Sequence, residues 1–141
     1  MSRPALASVH VQPPAGHDPR RRLGALGERL AREHLARAGY EIVDLNFRSR
    51  RGELDIVAAD RTALVFCEVK TRMAGGLHGP ASPLEGISTE KRRRLRLLAR
   101  EWLGARSQHG PRPPGLRFDA IGVTVDARGS LLALDHVENA F

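Results

Sequence analysis

The 141-residue chain is poor in cysteine, aromatic residues and lysine. Its single cysteine, Cys67, excludes an internal disulfide and is typical of a protein in a reducing cytoplasm. Because Cys67 stands inside an apolar run, we interpret it as a small buried hydrophobic residue rather than as a nucleophile. Aromatic residues make up only 4% of the chain, which argues against binding of single-stranded nucleic acid by base stacking.

Long apolar runs are also missing from the chain. No stretch approaches the roughly 20 apolar residues that span a bilayer, so we expect no membrane partner. Residues 1–22 lack the apolar segment of a secretory signal and are rich in proline and glycine. We therefore predict a flexible tail over residues 1–22, a single domain over residues 23–141, and a cytoplasmic location.

Positive charge is in excess: 23 lysines and arginines against 16 acidic residues give a formal net charge of +7. This balance favours a polyanionic partner, nucleic acid above all, although charge that serves only solubility is the alternative. We expect contacts with the phosphate backbone that are independent of base sequence and weakened by salt.

Only two of the 23 basic residues are lysines, Lys70 and Lys91. The chain uses arginine wherever a generic positive charge serves. A lysine kept inside a predicted strand therefore indicates a requirement for a compact, titratable ammonium group rather than a planar guanidinium. Lys70 stands in such a strand.

Hydrophobic periodicity predicts the order helix, three strands, helix, two strands. The elements are expected at residues 23–38, 40–45, 53–59, 63–71, 88–105, 117–125 and 131–137. Ser88 or Thr89 is expected to cap the second helix, and periodicity predicts that its buried face consists of Leu95, Leu98, Ala99 and Trp102. A basic turn is expected at residues 46–52 and Gly- or Pro-rich connections at residues 73–83 and 110–115. The short turn Asp60-Arg61 predicts that the second and third strands form an antiparallel hairpin. This order predicts an α/β sandwich, a mixed β-sheet flanked by helices, with the third strand in its centre.

Three charged residues interrupt the apolar strands of this hairpin. Asp55 lies in one strand, and Glu68 and Lys70 lie in the other, on one face and roughly 7 Å apart. An unpaired charge in a sheet core costs several kcal/mol, so these groups need partners. If the hairpin register sets Asp55 beside Glu68, two carboxylates converge next to an ammonium group.

Such a set of oxygen ligands suits Mg²⁺, which takes one or two protein carboxylates together with substrate phosphate. We predict a Mg²⁺ site at Asp55 and Glu68, with the carbonyl of Val69 as a further ligand and Mn²⁺ as a second candidate metal. The metal would activate water, and Lys70 would orient that water or stabilise the developing charge. This chemistry is phosphodiester hydrolysis. The alternative is an ordinary ion pair on a solvated sheet face.

Two groups of arginines are candidate nucleic-acid contacts. One group lies in the basic turn and the other recurs every four residues along the second helix: Arg48, Arg50, Arg51, Arg92, Arg96 and Arg100. Like charges at helical spacing repel each other, so the helix pattern favours phosphate contact over the alternative of a solvated face. The histidines form no metal signature, and no Walker loop or dinucleotide fingerprint is present.

Two strand motifs resemble a known family: Gly52-Glu53-Leu54-Asp55-Ile56-Val57 and Phe66-Cys67-Glu68-Val69-Lys70-Thr71-Arg72. The chain is similar to the YraN family of bacterial proteins, within the PD-(D/E)XK nuclease superfamily and similar to archaeal Holliday-junction resolvases. The resemblance extends from about Leu23 to the last residue. It includes Gly24-Ala25-Leu26-Gly27-Glu28, Asn46-Phe47-Arg48, Arg117-Phe118-Asp119 and Asn139-Ala140-Phe141. Cys67 replaces the branched aliphatic residue that is usual in such sequences.

The resemblance implies a restriction-endonuclease-like fold with a magnesium site. It implies that Asp55 and Glu68 bind the metal, that Lys70 is catalytic, and that Glu28 completes the acidic cluster. From the residues alone, Glu28 lies at the flank of an apolar helix stripe, where a solvated glutamate is ordinary. Glu53 is more simply a charge on the sheet surface.

The leading hypothesis is a Mg²⁺-dependent endonuclease acting on DNA, with branched or flapped DNA as candidate substrates. The alternative is a non-catalytic module on a nuclease fold that binds nucleic acid or a protein partner. A third hypothesis is a structural protein that contacts ribosomal RNA. Junction resolvases act as two-fold dimers, so a homodimer is an open alternative, although no dimer face is identified.

Overall fold

A computed structural model of the chain describes residues 18–75, 82–106 and 113–141. Within these ranges the predicted order of elements is confirmed, with one added 3-10 turn at Pro83–Gly86. The elements are α1 (Pro19–Arg37), β1 (Glu41–Ser49), β2 (Gly52–Ala59), β3 (Ala63–Met73), α2 (Thr89–Ala105), β4 (Gly115–Val125) and β5 (Leu131–Val137). Neither helix in the described part of the chain is long and apolar enough to cross a membrane.

The five strands form one mixed sheet in the order β1-β2-β3-β4-β5. β3 and β4 are parallel, and all other neighbouring strands are antiparallel. The predicted hairpin is confirmed, because Ile56 pairs with Cys67 and Ala59 pairs with Leu64. The long apolar strand β3 therefore lies in the centre of the sheet, as predicted.

The sheet separates two hydrophobic cores, one under each helix. α1 packs Ala31 and Leu35 against residues such as Val65 and Cys67, and burial raises the pKa of the Cys67 thiol. On the other face, α2 buries the four residues that its periodicity predicts: Leu95, Leu98, Ala99 and Trp102. The predicted α/β sandwich is thus confirmed, with apolar alternation along β3 supplying both cores.

Several element boundaries differ from the sequence prediction. α1 begins at Pro19 rather than at Leu23, because the Asp18 side chain caps it by accepting the N–H of Arg20, and proline suits a first helical turn. The predicted tail lies outside the described residues up to residue 17. β1 continues to Ser49, where it pairs with Gly52, so Arg48 lies in a strand and not in the predicted turn. β3 continues to Met73, into the predicted loop at residues 73–83.

β4 begins at Gly115, two residues before its predicted start, and the remaining predicted boundaries agree with the structure to within one residue. Of the two predicted caps of α2, Ser88 is the one observed, since its side chain accepts the N–H of Lys91. Residues 76–81 and 107–112, within or next to the two predicted connections, lie outside the described residues.

α1 contacts β3 most closely at Gly27. A Cβ at Gly27 would lie 1.7 Å from Oγ1 and 2.7 Å from Cβ of Thr71, so any larger side chain would push the helix away from the strand. This contact lies one residue from Glu28 and one residue from Lys70. The close packing therefore sets the position of α1 relative to the charged part of β3.

Candidate functional site

Asp55 and Glu68, from neighbouring strands, are brought together at the β2–β3 pair. Oδ2 of Asp55 accepts a hydrogen bond of 2.8 Å from the backbone N–H of Val69, the residue that follows Glu68. Burial, and next the negative charge of Glu68, raise the pKa of Asp55 to about 8. The two carboxylates thus lie within electrostatic reach of each other, as the hairpin register requires.

Glu68 is the most enclosed acid of this site, and two ammonium groups point at it. Its side chain is only 7% exposed. Nζ of Lys91 lies 2.5 Å from its Oε2, and Nζ of Lys70 lies 3.8 Å from the same oxygen. Both lysines of the chain therefore converge on one carboxylate oxygen.

Lys91 is the residue of this site that sequence reasoning missed. It lies in the first turn of α2, outside the apolar stripe, where it resembles any exposed basic residue. The scarcity of lysine was the available signal, since it applies to Lys91 as much as to Lys70.

The two lysines have different electrostatic environments. The pKa of Lys70 is lowered by burial, and next by the hydrogen bond and positive charge of Lys91; Glu68 offsets this only in part. Burial alone would lower the pKa of Lys91, but its ion pair with Glu68 raises it. Lys91 is therefore the firmly charged partner of Glu68, and Lys70 is the lysine closer to a neutral amine.

Glu28 and Glu53 border the cluster. Oε1 of Glu28 accepts a hydrogen bond of 2.9 Å from the side-chain amide of Asn46. The negative charges of Glu28 and Glu53 both add to the raised pKa of Asp55. Oε2 of Glu53 also lies 3.6 Å from Nε of Arg48, and such an ion pair is expected for a charge on the sheet surface.

The donor chemistry of the site fits a hard divalent cation. Two carboxylates stand close enough for like charge to disfavour ionisation of Asp55, and a cation would relieve this repulsion. Among the described residues, no group of three or more acidic, histidine or cysteine side chains is arranged to hold a metal. Mg²⁺ does not require a third protein ligand, because it retains several waters. Val69 contributes its N–H to Asp55, and its carbonyl as a metal ligand stays a prediction.

A pocket opens beside Lys70, where the parallel strands β3 and β4 end. Its lining includes Arg72, Ser82, Pro83, Thr124 and Asp135. The carboxyl ends of parallel strands are a common place for ligands in α/β sheets. The pocket thus gives the lysine side of the site an opening toward solvent.

The two predicted arginine groups are joined at one point, between Arg51 and α2. Arg51, in the β1–β2 turn, binds Glu101 of α2 at 3.1 Å, so the turn lies against the helix. Several of these arginines have partners within the chain: Arg48 pairs with Glu53, Arg92 donates to the carbonyl of Ile87, and Arg96 lies 5.6 Å above the Phe118 ring. Arg50 and Arg100 are exposed. Contact of these arginines with nucleic acid stays a prediction.

A second buried charged cluster lies in the α1 core, around Asp119. This fully buried carboxylate accepts two N–H groups of Arg117 at 2.9 Å each and the N–H of Asn139 at 3.1 Å. Nε2 of His136 lies 2.7 Å away, and the other nitrogen of that ring lies 3.0 Å from Nε2 of His34. Arg117 also donates to the hydroxyl of Tyr40. Sequence reasoning quoted Arg117-Phe118-Asp119 and Asn139-Ala140-Phe141 as motifs but did not predict that they meet.

Residues 27–123 match a family model described as "Uncharacterised protein family UPF0102". Similar curated proteins include a UPF0102 protein of Rhodococcus opacus, 47% identical over 119 residues that cover 84% of this chain and 95% of the relative. A UPF0102 protein of Streptomyces griseus is 47% identical over 108 residues, which cover 77% of this chain and 87% of the relative. A third, from Kineococcus radiotolerans, is 44% identical over 107 residues, covering 76% and 84%. The matched range includes the four residues predicted to be catalytic, Glu28, Asp55, Glu68 and Lys70, and it also includes Lys91.

Proposed function

Given that this chain belongs to the uncharacterised protein family UPF0102, the YraN family that its strand motifs predicted, we propose that it is a metal-dependent nuclease acting on DNA. Family membership by itself assigns no activity. The observation that carries the proposal is the crowding of Asp55 against Glu68, which raises the pKa of Asp55 to about 8, next to Lys70. A protein gains nothing structural from like charges held together in this way, and such perturbed groups cluster at functional sites.

Each residue of the cluster has a role in this proposal. Asp55 and Glu68 would hold Mg²⁺ or Mn²⁺, and Glu28 would add negative charge at the border of the site. When bound, the metal polarises the phosphoryl oxygen and lowers the pKa of its water. Nζ of Lys70, with its lowered pKa, is suited to hold the attacking water by a hydrogen bond or to donate to the phosphoryl oxygens as negative charge develops.

Binding of DNA is proposed for the arginine surface formed by α2 and the β1–β2 turn. The net charge of +7 supports an anionic partner, and the scarcity of aromatic residues supports contact with phosphates rather than with bases. Where an arginine already has a partner, phosphate would compete with it or share its remaining donors. Branched or flapped DNA is the substrate class that the resemblance to junction resolvases suggests.

One observation favours a second candidate function, a DNA-binding module without turnover. Lys91 and Lys70 already neutralise Glu68, so this carboxylate has counterions in the absence of a metal. A family branch that had lost metal binding would keep such an ion pair. Metal affinity therefore distinguishes the two functions.

The test is a panel of flap, junction, single-stranded and duplex DNAs with Mg²⁺ or Mn²⁺. Wild type should cut at least one of them, and Lys70→Ala should lower the rate by about 100-fold or more. The control is Arg61→Ala, which also removes one positive charge but at an exposed position in the β2–β3 turn; this variant should cut like wild type. Equal cleavage by Lys70→Ala would remove that lysine from the mechanism. Calorimetry that finds no metal binding, with DNA binding that weakens steeply with salt, would establish the second candidate.

A further inference from the structure

We propose that Lys91 is a positioning residue that competes with the divalent cation for Glu68: its ammonium group holds this carboxylate in the metal-free protein and leaves it when the metal binds. The inference deepens the proposed function and rests on it. It concerns a residue that neither the sequence motifs nor the family match assigns to the site.

The ion-pair geometry singles out Lys91 as the main counterion. Its Nζ lies 2.5 Å from Oε2 of Glu68, against 3.8 Å for Lys70, and the Glu68 side chain is almost closed to water. Both ammonium groups lie against Oε2, so a metal that binds this oxygen competes with them, and first with Lys91.

Charge balance points the same way. The ammonium groups of Lys91 and Lys70 both face the same oxygen of Glu68. A divalent cation that entered with both ammonium groups in place would meet strong repulsion at short range. Departure of Lys91 removes one of the two charges and frees the oxygen.

The place of Lys91 in the helix is unfavourable for a purely structural cation. It lies in the first turn of α2, where the helix dipole favours negative charge, as at the adjacent Glu90. The ion pair with Glu68 must therefore compensate for an unfavourable helix position. A cation that served the helix itself would be expected in the last turn.

The choice of lysine over arginine also fits a partner that leaves. An arginine would bind the carboxylate through two parallel hydrogen bonds and hold it more firmly. This chain uses arginine at all its basic positions except Lys70 and Lys91. The Lys91 side chain is 23% exposed, and Ser88 caps the helix through the backbone N–H of Lys91, so the side chain can turn to solvent without unwinding α2.

The test is calorimetric titration of the full chain with Mn²⁺ alone, for wild type, Lys91→Met and Arg93→Met. Arg93 is exposed on the same helix, so its variant loses the same charge without contacting Glu68. Lys91→Met should bind Mn²⁺ at least about tenfold more tightly than wild type, because no ammonium group has to leave. Arg93→Met should stay within about twofold of wild type, since exposed charges act weakly at a distance.

A second measurement needs no variant. Because the chain has two lysines, acetylation of each amine can be followed separately by mass spectrometry. Labelling of Lys91 in wild type should rise several-fold when Mn²⁺ is added. This readout decides the matter if Lys91→Met does not fold.

The outcomes separate this inference from the proposed function. If wild type binds Mn²⁺ and Lys91→Met binds it equally or more weakly, or if Mn²⁺ leaves Lys91 labelling unchanged, the inference is wrong and the metal site stands. If neither wild type nor Lys91→Met binds Mn²⁺, the metal site and the inference are both wrong. Binding by Lys91→Met alone would support the inference most strongly.

Discussion

The two buried charged clusters of this protein contain similar residue types but differ in how fully the chain satisfies them. Asp119 receives four hydrogen bonds, from Arg117, His136 and Asn139. Within the described residues, Asp55 receives one, from the N–H of Val69, and its strongest electrostatic neighbour is the carboxylate of Glu68, with Glu28 and Glu53 adding to the repulsion. The carboxylate of Asp119 is thus saturated with donors, whereas that of Asp55 is not.

The pKa values of the two aspartates shift in opposite directions. Burial would raise the pKa of Asp119, but the hydrogen bonds from His136, Arg117 and Asn139 lower it below its ordinary value. Burial and the charge of Glu68 raise the pKa of Asp55 to about 8. The Asp119 cluster therefore stabilises the fold as it stands, whereas the Asp55 cluster costs free energy until a cation or a proton arrives, as is common at functional sites.

The same substitution, aspartate to asparagine, should have opposite effects in the two clusters. Asp119→Asn places an amide group where two N–H donors of Arg117 and a histidine nitrogen converge, so Arg117 keeps its charge inside the core without an anion. Breaking a buried pair in this way costs about 3 kcal/mol or more. Urea unfolding should show this loss.

Glu138→Gln is the control for Asp119→Asn. Glu138 also pairs with Arg117, but at 3.9 Å and with a side chain that is 61% exposed. Its substitution should change the free energy of unfolding by less than about 0.5 kcal/mol. A loss in Asp119→Asn no larger than in this control would mean that the cluster does not stabilise the fold.

Asp55→Asn should instead stabilise the metal-free protein at alkaline pH. The amide oxygen of asparagine can still accept the N–H of Val69, and the repulsion from Glu68 is gone. Because the pKa of Asp55 in the folded state, about 8, lies above the ordinary 3.8, the folded state holds a proton that the unfolded chain releases. The free energy of unfolding of wild type should therefore fall as pH rises from about 4 to about 8.

Urea unfolding in a chelator at pH 5 and pH 8 measures this effect. We expect Asp55→Asn to show a flatter pH dependence and to exceed wild type by about 2 kcal/mol at pH 8. The control is Glu41→Gln, at an exposed position at the start of β1; its free energy of unfolding should change with pH as that of wild type does. If Asp55→Asn were the less stable protein at pH 8, the contrast between the two clusters would not hold.

The fold was largely predictable because it depends on local signals. Periodicity along α2 predicted its buried face of Leu95, Leu98, Ala99 and Trp102, and Ser88 was one of the two caps that residue preference predicted. The apolar run of β3 identified the central strand. Boundaries failed where pairing extended a strand, as at Ser49, since no local pattern in a basic segment indicates continued pairing with β2.

The site was predictable only in the part that lies on one hairpin. Asp55, Glu68 and Lys70 meet because β2 and β3 are neighbours in sequence and in the sheet. Lys91 reaches Glu68 only after α2 packs across that sheet, and no spacing in the sequence reports this contact. The Asp119 cluster was missed for the same reason: Tyr40, His34 and His136 come from three separate parts of the chain that meet only through the order of the strands and the position of α1.

The smallest expected effect concerns His34, at the outer end of the Asp119 cluster. Burial, then the positive charges of His136 and Arg37, lower its pKa from 6.5. Between 6.5 and the lower value, the unfolded chain binds a proton that the folded protein does not, so the contribution of His34 to the free energy of unfolding falls as pH decreases through this range. In urea unfolding, the stability of His34→Gln relative to wild type should therefore be higher at pH 5 than at pH 7, whereas Glu33→Gln, on the same helix, should keep the pH dependence of wild type. His34 should therefore weaken the fold toward acid and Asp55 should weaken it toward alkali, one in each cluster. A pH dependence of His34→Gln equal to that of wild type would mean that His34 does not contribute to the response toward acid.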